Sequence, residues 1–245
     1  MNIIRAFRAL GPVDYRSVRR DSLLSWIVFL PLVIAVALRI FIPVAAQLLD
    51  ERAGVRLADY NSLINSLLFL IMPMLVGMVI GFLLLDQRDD GTLTALQVTP
   101  LTLSGYLAYR LALPSLLAIV TTLVMVPLTG IGQPQWGAVA LASLAAAPQA
   151  PLFALFYAVF AQNKVQGFAV MKASGVIMLP PVAAYFISGP LHWLFGLVPT
   201  FWPAKVYWLA ADGSPLAWPA LVVGLALQVL IGWWLVKKYQ RVMVG

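Results

Sequence analysis

Six apolar runs, near residues 23–44, 62–85, 108–130, 137–160, 168–188 and 216–236, dominate this sequence. Each is long enough to cross a hydrocarbon core of about 30 Å, which takes roughly 20 helical residues. With 245 residues, 62% hydrophobic and only 10% charged, the chain departs from soluble domains, in which about half of the residues are apolar and about a quarter charged. The expected fold is an all-α polytopic membrane protein with six transmembrane helices. Residues 1–22 form a separate amphipathic segment and 23–245 one membrane domain, with no separate soluble domain.

In the first 22 residues Ile3, Ile4, Phe7 and Leu10 recur at helical spacing, among Arg5, Arg8, Arg16, Arg19 and Arg20. This pattern suits a helix lying along an anionic membrane face, divided into two pieces at Gly11-Pro12. A cleavable leader is excluded by the length of the run that begins at Leu23 and by the runs that follow it. Between the fifth and sixth runs, residues 190–215 are apolar and aromatic but broken by Pro190, Pro199 and Pro203, and predict one or two short helices that dip back into the membrane.

The net charge of +7 reports topology and not nucleic-acid binding. With both termini on one side, Arg5, Arg8, Arg16, Arg19, Arg20, Arg88, Arg110, Lys164, Lys172, Lys237, Lys238 and Arg241 fall inside, and Arg39, Arg52, Arg56 and Lys205 outside. Twelve against four follows the positive-inside rule and places both termini in the cytoplasm. Trp26, Trp233 and Trp234 would form the inner aromatic belt, and Trp136, Trp193, Trp202, Trp208 and Trp218 the outer one. Arg39, Arg110 and Lys172, near span ends, are expected to snorkel to the interface.

The chemistry that is missing constrains function as much as what is present. No apolar run contains an Asp or Glu, which argues against proton coupling through the spans. There is no cysteine and a single histidine, His192, so neither a thiol nucleophile nor a metal site is expected. Neither a Gly-x-Ser-x-Gly elbow nor a Gly-x-x-x-x-Gly-Lys phosphate loop occurs. The chain therefore has no expected catalytic residue and no cofactor of its own, and work for uphill transport would have to come from another subunit.

Against this apolar background the stretch 86–110, DQRDDGTLTALQVTPLTLSGYLAYR, stands out as a polar island. Asp90 can cap a short helix from Thr92 to Val98, which Thr99-Pro100 ends before the next span begins. Leu93 and Leu96 share one side of that helix. They either pack on neighbouring helix ends and headgroups or form a docking knob for a cytosolic partner.

The chain resembles the type 2 family of ATP-binding-cassette (ABC) exporter permeases. The resemblance is carried by Arg19-Arg20-Asp21, by Arg88-Asp89-Asp90-Gly91-Thr92-Leu93 with Pro100, Tyr106 and Arg110, and by Pro199-Thr200-Phe201-Trp202-Pro203. Within the family the pattern is most similar to permease subunits of fluoroquinolone or drug exporters, and a related branch exports haem-type or lipid-linked cargo. The resemblance implies a coupling region at 86–107, in which Leu93 and Leu96 enter a groove of an ABC ATPase subunit and Arg88, Asp89 and Asp90 fix its rim. It implies that ATP and magnesium are bound by that partner, that a second permease subunit completes the transporter, and that the assembly sits in a bacterial or archaeal plasma membrane. Where the family commonly has Glu four residues before the glycine, this chain has Gln87, and Asp86 or Asp89 would supply the charge.

The family's path lies between two permease subunits, lined by spans two and five. Here that implies Phe69, Met72, Met74 and Met78 with Met178, Tyr185 and Phe186, a set suited to hydrophobic small-molecule cargo because methionine adapts to varied apolar shapes. Gly77 and Gly81 allow a close helix approach, within a subunit or across a dimer. Pro148, Pro151, Pro180 and Pro181 predict kinks in spans four and five. A facilitator or scaffold that uses no ATP is the rival reading.

Overall fold

The computed structural model describes residues 3–90, 103–133, 135–187 and 189–244, and among them there is no strand. Helix α1 spans Ile3–Arg20 and α2 Ser22–Ala53; a 3-10 turn at Leu57–Tyr60 leads into α3, Asn61–Asp89. Then follow α4 (Leu103–Leu128), α5 (Trp136–Ala146), α6 (Gln149–Phe160), α7 (Lys164–Ser174), α8 (Leu179–Phe186), α9 (Phe201–Ala211) and α10 (Ala217–Val244). Six stretches are long and apolar enough to cross a membrane: Ser22–Ala53, Leu57–Asp89, Gly105–Leu128, Trp136–Phe160, Lys164–Phe186 and Ala217–Arg241. The helices overrun several of the apolar runs at their ends. Asp21 caps α2 by accepting from the N–H groups of Leu23 and Leu24, and Gly54, with φ 62°, closes it in the left-handed conformation that suits glycine.

Helix α3 and the α5–α6 pair form the buried centre, and α2, α4, α7–α8 and α10 surround them with largely exposed apolar faces. The two glycines of α3 face α6. A Cβ at Gly77 would stand 2.5 Å from the Ala150 carbonyl oxygen, and one at Gly81 would stand 3.1 Å from that of Ala154. The pair therefore serves helix contact within the subunit.

Where kinks were expected in spans four and five, the helices are interrupted, with Pro151 inside the first turn of α6. Span four divides at Ala147-Pro148 and span five at a 3-10 turn, Gly175–Met178, just before Pro180-Pro181. The expected short helices of 190–215 appear as a 3-10 turn, Pro190–Leu197, followed by α9.

Three expectations are corrected. Helix α1 runs unbroken through Gly11-Pro12, held by packing of Ala6 and Leu10 and by the polar contacts of Asp14 described below, which offset the hydrogen bond that Pro12 removes. Trp202 is buried against Gly224 and donates to the Gly196 carbonyl, and half-buried Trp208 donates to that of Ser62; these two fix α9 in the bundle and do not serve as belt residues. Arg110 is 2% exposed and does not snorkel. Arg39, by contrast, stays exposed and donates to the Leu128 carbonyl at the end of α4, and Lys172 is exposed.

Candidate functional site

The end of α3 is where the chain leaves the bundle for the island, and polar contacts between four elements converge on it. Lys164, the first residue of α7, pairs with Asp86 of α3 at 2.9 Å and with Asp21 at the α1–α2 junction. One ammonium thus ties three elements. Arg88, two residues beyond Asp86 and so on a different side of α3, reaches sideways: its guanidinium donates to the carbonyls of Ala158 at 3.2 Å and Ala161 at 2.9 Å, and to that of Gln162. Ala158 is in the last turn of α6 and Ala161 and Gln162 follow its end, where carbonyls lack an intrahelical donor and a cation meets the negative end of the helix dipole. Gln87, where the family's acid is expected, accepts from the Tyr106 hydroxyl at 2.9 Å and so links the two sides of the island, α3 and α4. Asp89 and Asp90 are exposed, and the Asp90 N–H donates to the Asp86 carbonyl to end α3.

A second, deeper connection holds α1. Arg110 of α4 donates to Asp14 through both guanidinium ends, at 2.7 and 3.0 Å, and the Tyr109 hydroxyl donates to the same carboxylate at 2.7 Å. The Arg110 guanidinium carbon also sits 5.3 Å from the ring centres of Tyr106 and Tyr109, and Phe7 meets Tyr109 edge to face. Both charges are almost completely buried, where bidentate geometry matters most. Helix α1, the base of span three and the end of span two are therefore joined into one polar end.

Within this end Asp21 is open to a pH test. Burial works to raise its carboxyl, but the Lys164 ammonium and the N–H groups of Leu24 and Leu23 outweigh it and hold the group below its ordinary value of 3.8. A depressed folded-state value means that the contribution is complete above that ordinary value and is lost as pH falls through the lowered one. In detergent, wild-type protein should therefore lose more melting temperature than Asp21→Asn between about pH 5 and about pH 2. Parallel melting curves for the two across that range would refute the assignment.

Of the residues expected at the site, Arg88, Asp89 and Asp90 stand at this end, with Arg88 turned toward α6. Gly91, Thr92, Leu93, Leu96 and Pro100 lie outside the described residues. Phe69, Met72 and Met78 are buried in the subunit's interior, and Met74 is partly buried. Met178 is partly buried, Tyr185 packs on Trp208 and donates to the Asp59 carbonyl, and Phe186 is exposed beside Tyr60. No single cavity among those described is lined by this set. Sequence reasoning missed Asp14, Lys164 and the Gln87–Tyr106 bond. The one available signal was that a lone acid at Asp14 amid five arginines sits on the Ala6–Leu10 face. Among the described residues no cluster of three or more metal-ligating side chains occurs.

Six apolar helical spans around a buried central pair, tied at one end by charged residues, define a multi-pass helical membrane protein. The chain belongs to the family described as Fluoroquinolones export permease protein Rv2686c-like, whose profile matches residues 14–236. It is 32% identical over 239 residues to proteins named Fluoroquinolones export permease protein MT2760 and Rv2686c, from Mycobacterium tuberculosis strains CDC 1551 / Oshkosh and ATCC 25618 / H37Rv. The match covers 96% of this chain and 94% of each relative. No solved structure gives a significant match.

Proposed function

We propose that this chain is the membrane permease subunit of an ATP-driven exporter of hydrophobic small molecules, in which residues 86–107 receive the stroke of a separate ABC ATPase. The observation that carries the reading is the polar end: Lys164, Arg88, Gln87 and Asp14 lock α1, α3, α4, α6 and α7 together on either side of the island. A push delivered there would reach several spans at once, as a rigid lever requires. The family relatives named as fluoroquinolone export permeases support a drug-like cargo. Nothing in the proposal requires nucleic acid, and ATP and magnesium belong to the partner.

On this reading the protein lies in a bacterial or archaeal plasma membrane with both termini in the cytoplasm, and a second permease subunit, identical or paralogous, completes the path. Phe69, Met72 and Met78 would meet cargo only in a conformation in which α3 parts from its neighbours. Met178, Tyr185 and Phe186 are nearer the surface and would be available to a second subunit or to cargo in this one. Haem, lipid or polysaccharide-precursor cargo would use the same architecture, and a facilitator or scaffold that uses no ATP is the rival from another class.

Co-purification tests the proposal. Wild-type protein purified from its native membrane should bring down an ABC ATPase subunit, and Leu93→Asp with Leu96→Asp should lose it together with ATP-dependent transport in vesicles. Retention of both by the double variant would sink the docking assignment.

A further inference from the structure

A groove of about 570 Å³ opens on the flank of the bundle where α1 meets α2, α3 and α4. Its wall takes Val18 and Arg19 from α1, Val28 and Phe29 from α2, and Leu113 and Leu117 from α4. A smaller cavity of about 110 Å³, reaching Pro31 and Thr121, shares Val28, Ile80 and Leu117 with it and so continues the groove along the same three spans. Measured on α4 from Tyr109 to Thr121, the two together run for about 18 Å at the helical rise. That is close to the depth of one leaflet, half of a hydrocarbon core of about 30 Å. The groove starts at the polar end and stops near the middle of the membrane.

Two properties select its occupant. The long wall is apolar and opens between spans one and three, whose surfaces are largely unburied, so its neighbour along that length is lipid hydrocarbon. The mouth, by contrast, is cationic. Arg19 lines it, and Tyr15 and Arg8 follow on the same edge of α1 at helical spacing, all three exposed. Among the described residues neither arginine pairs with a carboxylate, since Asp14 is taken by Arg110 and Tyr109, and Asp21 by Lys164. Asp14 also borders the groove, but three donors already occupy its carboxylate, so it offers no seat for a cation. A guanidinium without a partner at the head of an apolar groove one leaflet deep complements a lipid phosphate followed by its chain. A choline head would bring another cation among these arginines, so a lipid of net negative charge fits better.

We propose that this groove holds one acyl chain of an anionic phospholipid, with its phosphate on Arg19 and Arg8 extending the positive edge beside it. Such a lipid fastens α1 to spans one and three at the polar end. Binding needs neither ATP nor residues 86–107, so its failure and that of the exporter reading are distinguishable.

The test is native mass spectrometry of the whole chain, delipidated in detergent and titrated with dioleoyl-phosphatidylglycerol or dioleoyl-phosphatidylcholine, which share their chains and differ in head charge. Wild type should bind a single phosphatidylglycerol per chain saturably, and about tenfold more tightly than phosphatidylcholine. Arg19→Gln should remove that preference, whereas Arg20→Gln, which removes the same charge about 100° further round the helix, should keep it. Val28→Trp and Leu117→Trp, at exposed positions shared by both cavities, should each abolish the saturable site. Glycerol 3-phosphate, which has the head chemistry without chains, should not displace the lipid. Equal affinity for the two lipids in wild type, or equal losses from Arg19→Gln and Arg20→Gln, would mean diffuse attraction to a basic helix and overturn the inference. So would phosphatidylglycerol binding that survives both tryptophan variants, or its displacement by glycerol 3-phosphate.

Discussion

Asp14→Ala should cost about 3 to 5 kcal/mol of stability, because it leaves the Arg110 guanidinium buried with neither of its carboxylate partners. Arg110 has little else to fall back on, since its Nε already lacks an acceptor, and the Tyr109 hydroxyl would lose its partner in the same change. Removing both charges is a different matter. Replacing a buried pair by apolar groups of similar size is often neutral, so Asp14→Ala combined with Arg110→Met should be more stable than Asp14→Ala alone. Thermal unfolding in detergent, run as a double-mutant cycle, reads this directly. A single Asp14→Ala variant that melts with wild type would show that α1 is not held by this pair. The consequence for mechanism follows from position: without the pair α1 loses its polar attachment to the base of span three.

A loss of comparable size is expected at Gly77. The new methyl of Gly77→Ala would sit 2.5 Å from the Ala150 carbonyl oxygen and 2.7 Å from Phe153 Cβ, distances that neither a rotamer change nor a small side-chain shift can relieve. Helices α3 and α6 must move apart, and overpacking of this kind costs about 1 to 3 kcal/mol, with Gly77→Val at or beyond the upper end. Gly137→Ala is the internal control. Nothing lies within 4 Å of its added methyl, and alanine is the better helix former, so its stability should equal or slightly exceed wild type. The measurement is the unfolding midpoint together with oligomeric state in detergent. If the glycine pair served a dimer contact instead, Gly77→Val would keep its melting temperature and change only its association.

Much of the frame was legible beforehand because it depends on length and solvent alone. The runs near 62–85 and 108–130 had to be helical spans whatever lay beside them; prolines decided less, since helices run unbroken through Pro12, Pro31, Pro43 and Pro73 and part only beside Pro148 and Pro180. Contacts between distant residues were another matter. Arg110 reads as a snorkelling residue from its place near a span end, and only the arrival of Asp14 from 96 residues away turns it inward. Gln87 looked like a lost charge, and Tyr106, 19 residues on, makes it a bridge across the island. Trp202 fitted an outer belt by position alone, but Gly224 opens a slot for it in the interior.

Residence in lipid as a six-span helical bundle follows from apolar length, because unmet backbone hydrogen bonds leave such runs no other stable arrangement. Only packing in three dimensions settled which side of each helix faces its neighbours, and hence which charges pair, which glycines admit a partner and where three broken helices come together. The physical reason is that burial in a bilayer sets an average environment residue by residue, whereas pairing and packing depend on side chains brought together from far apart along the chain.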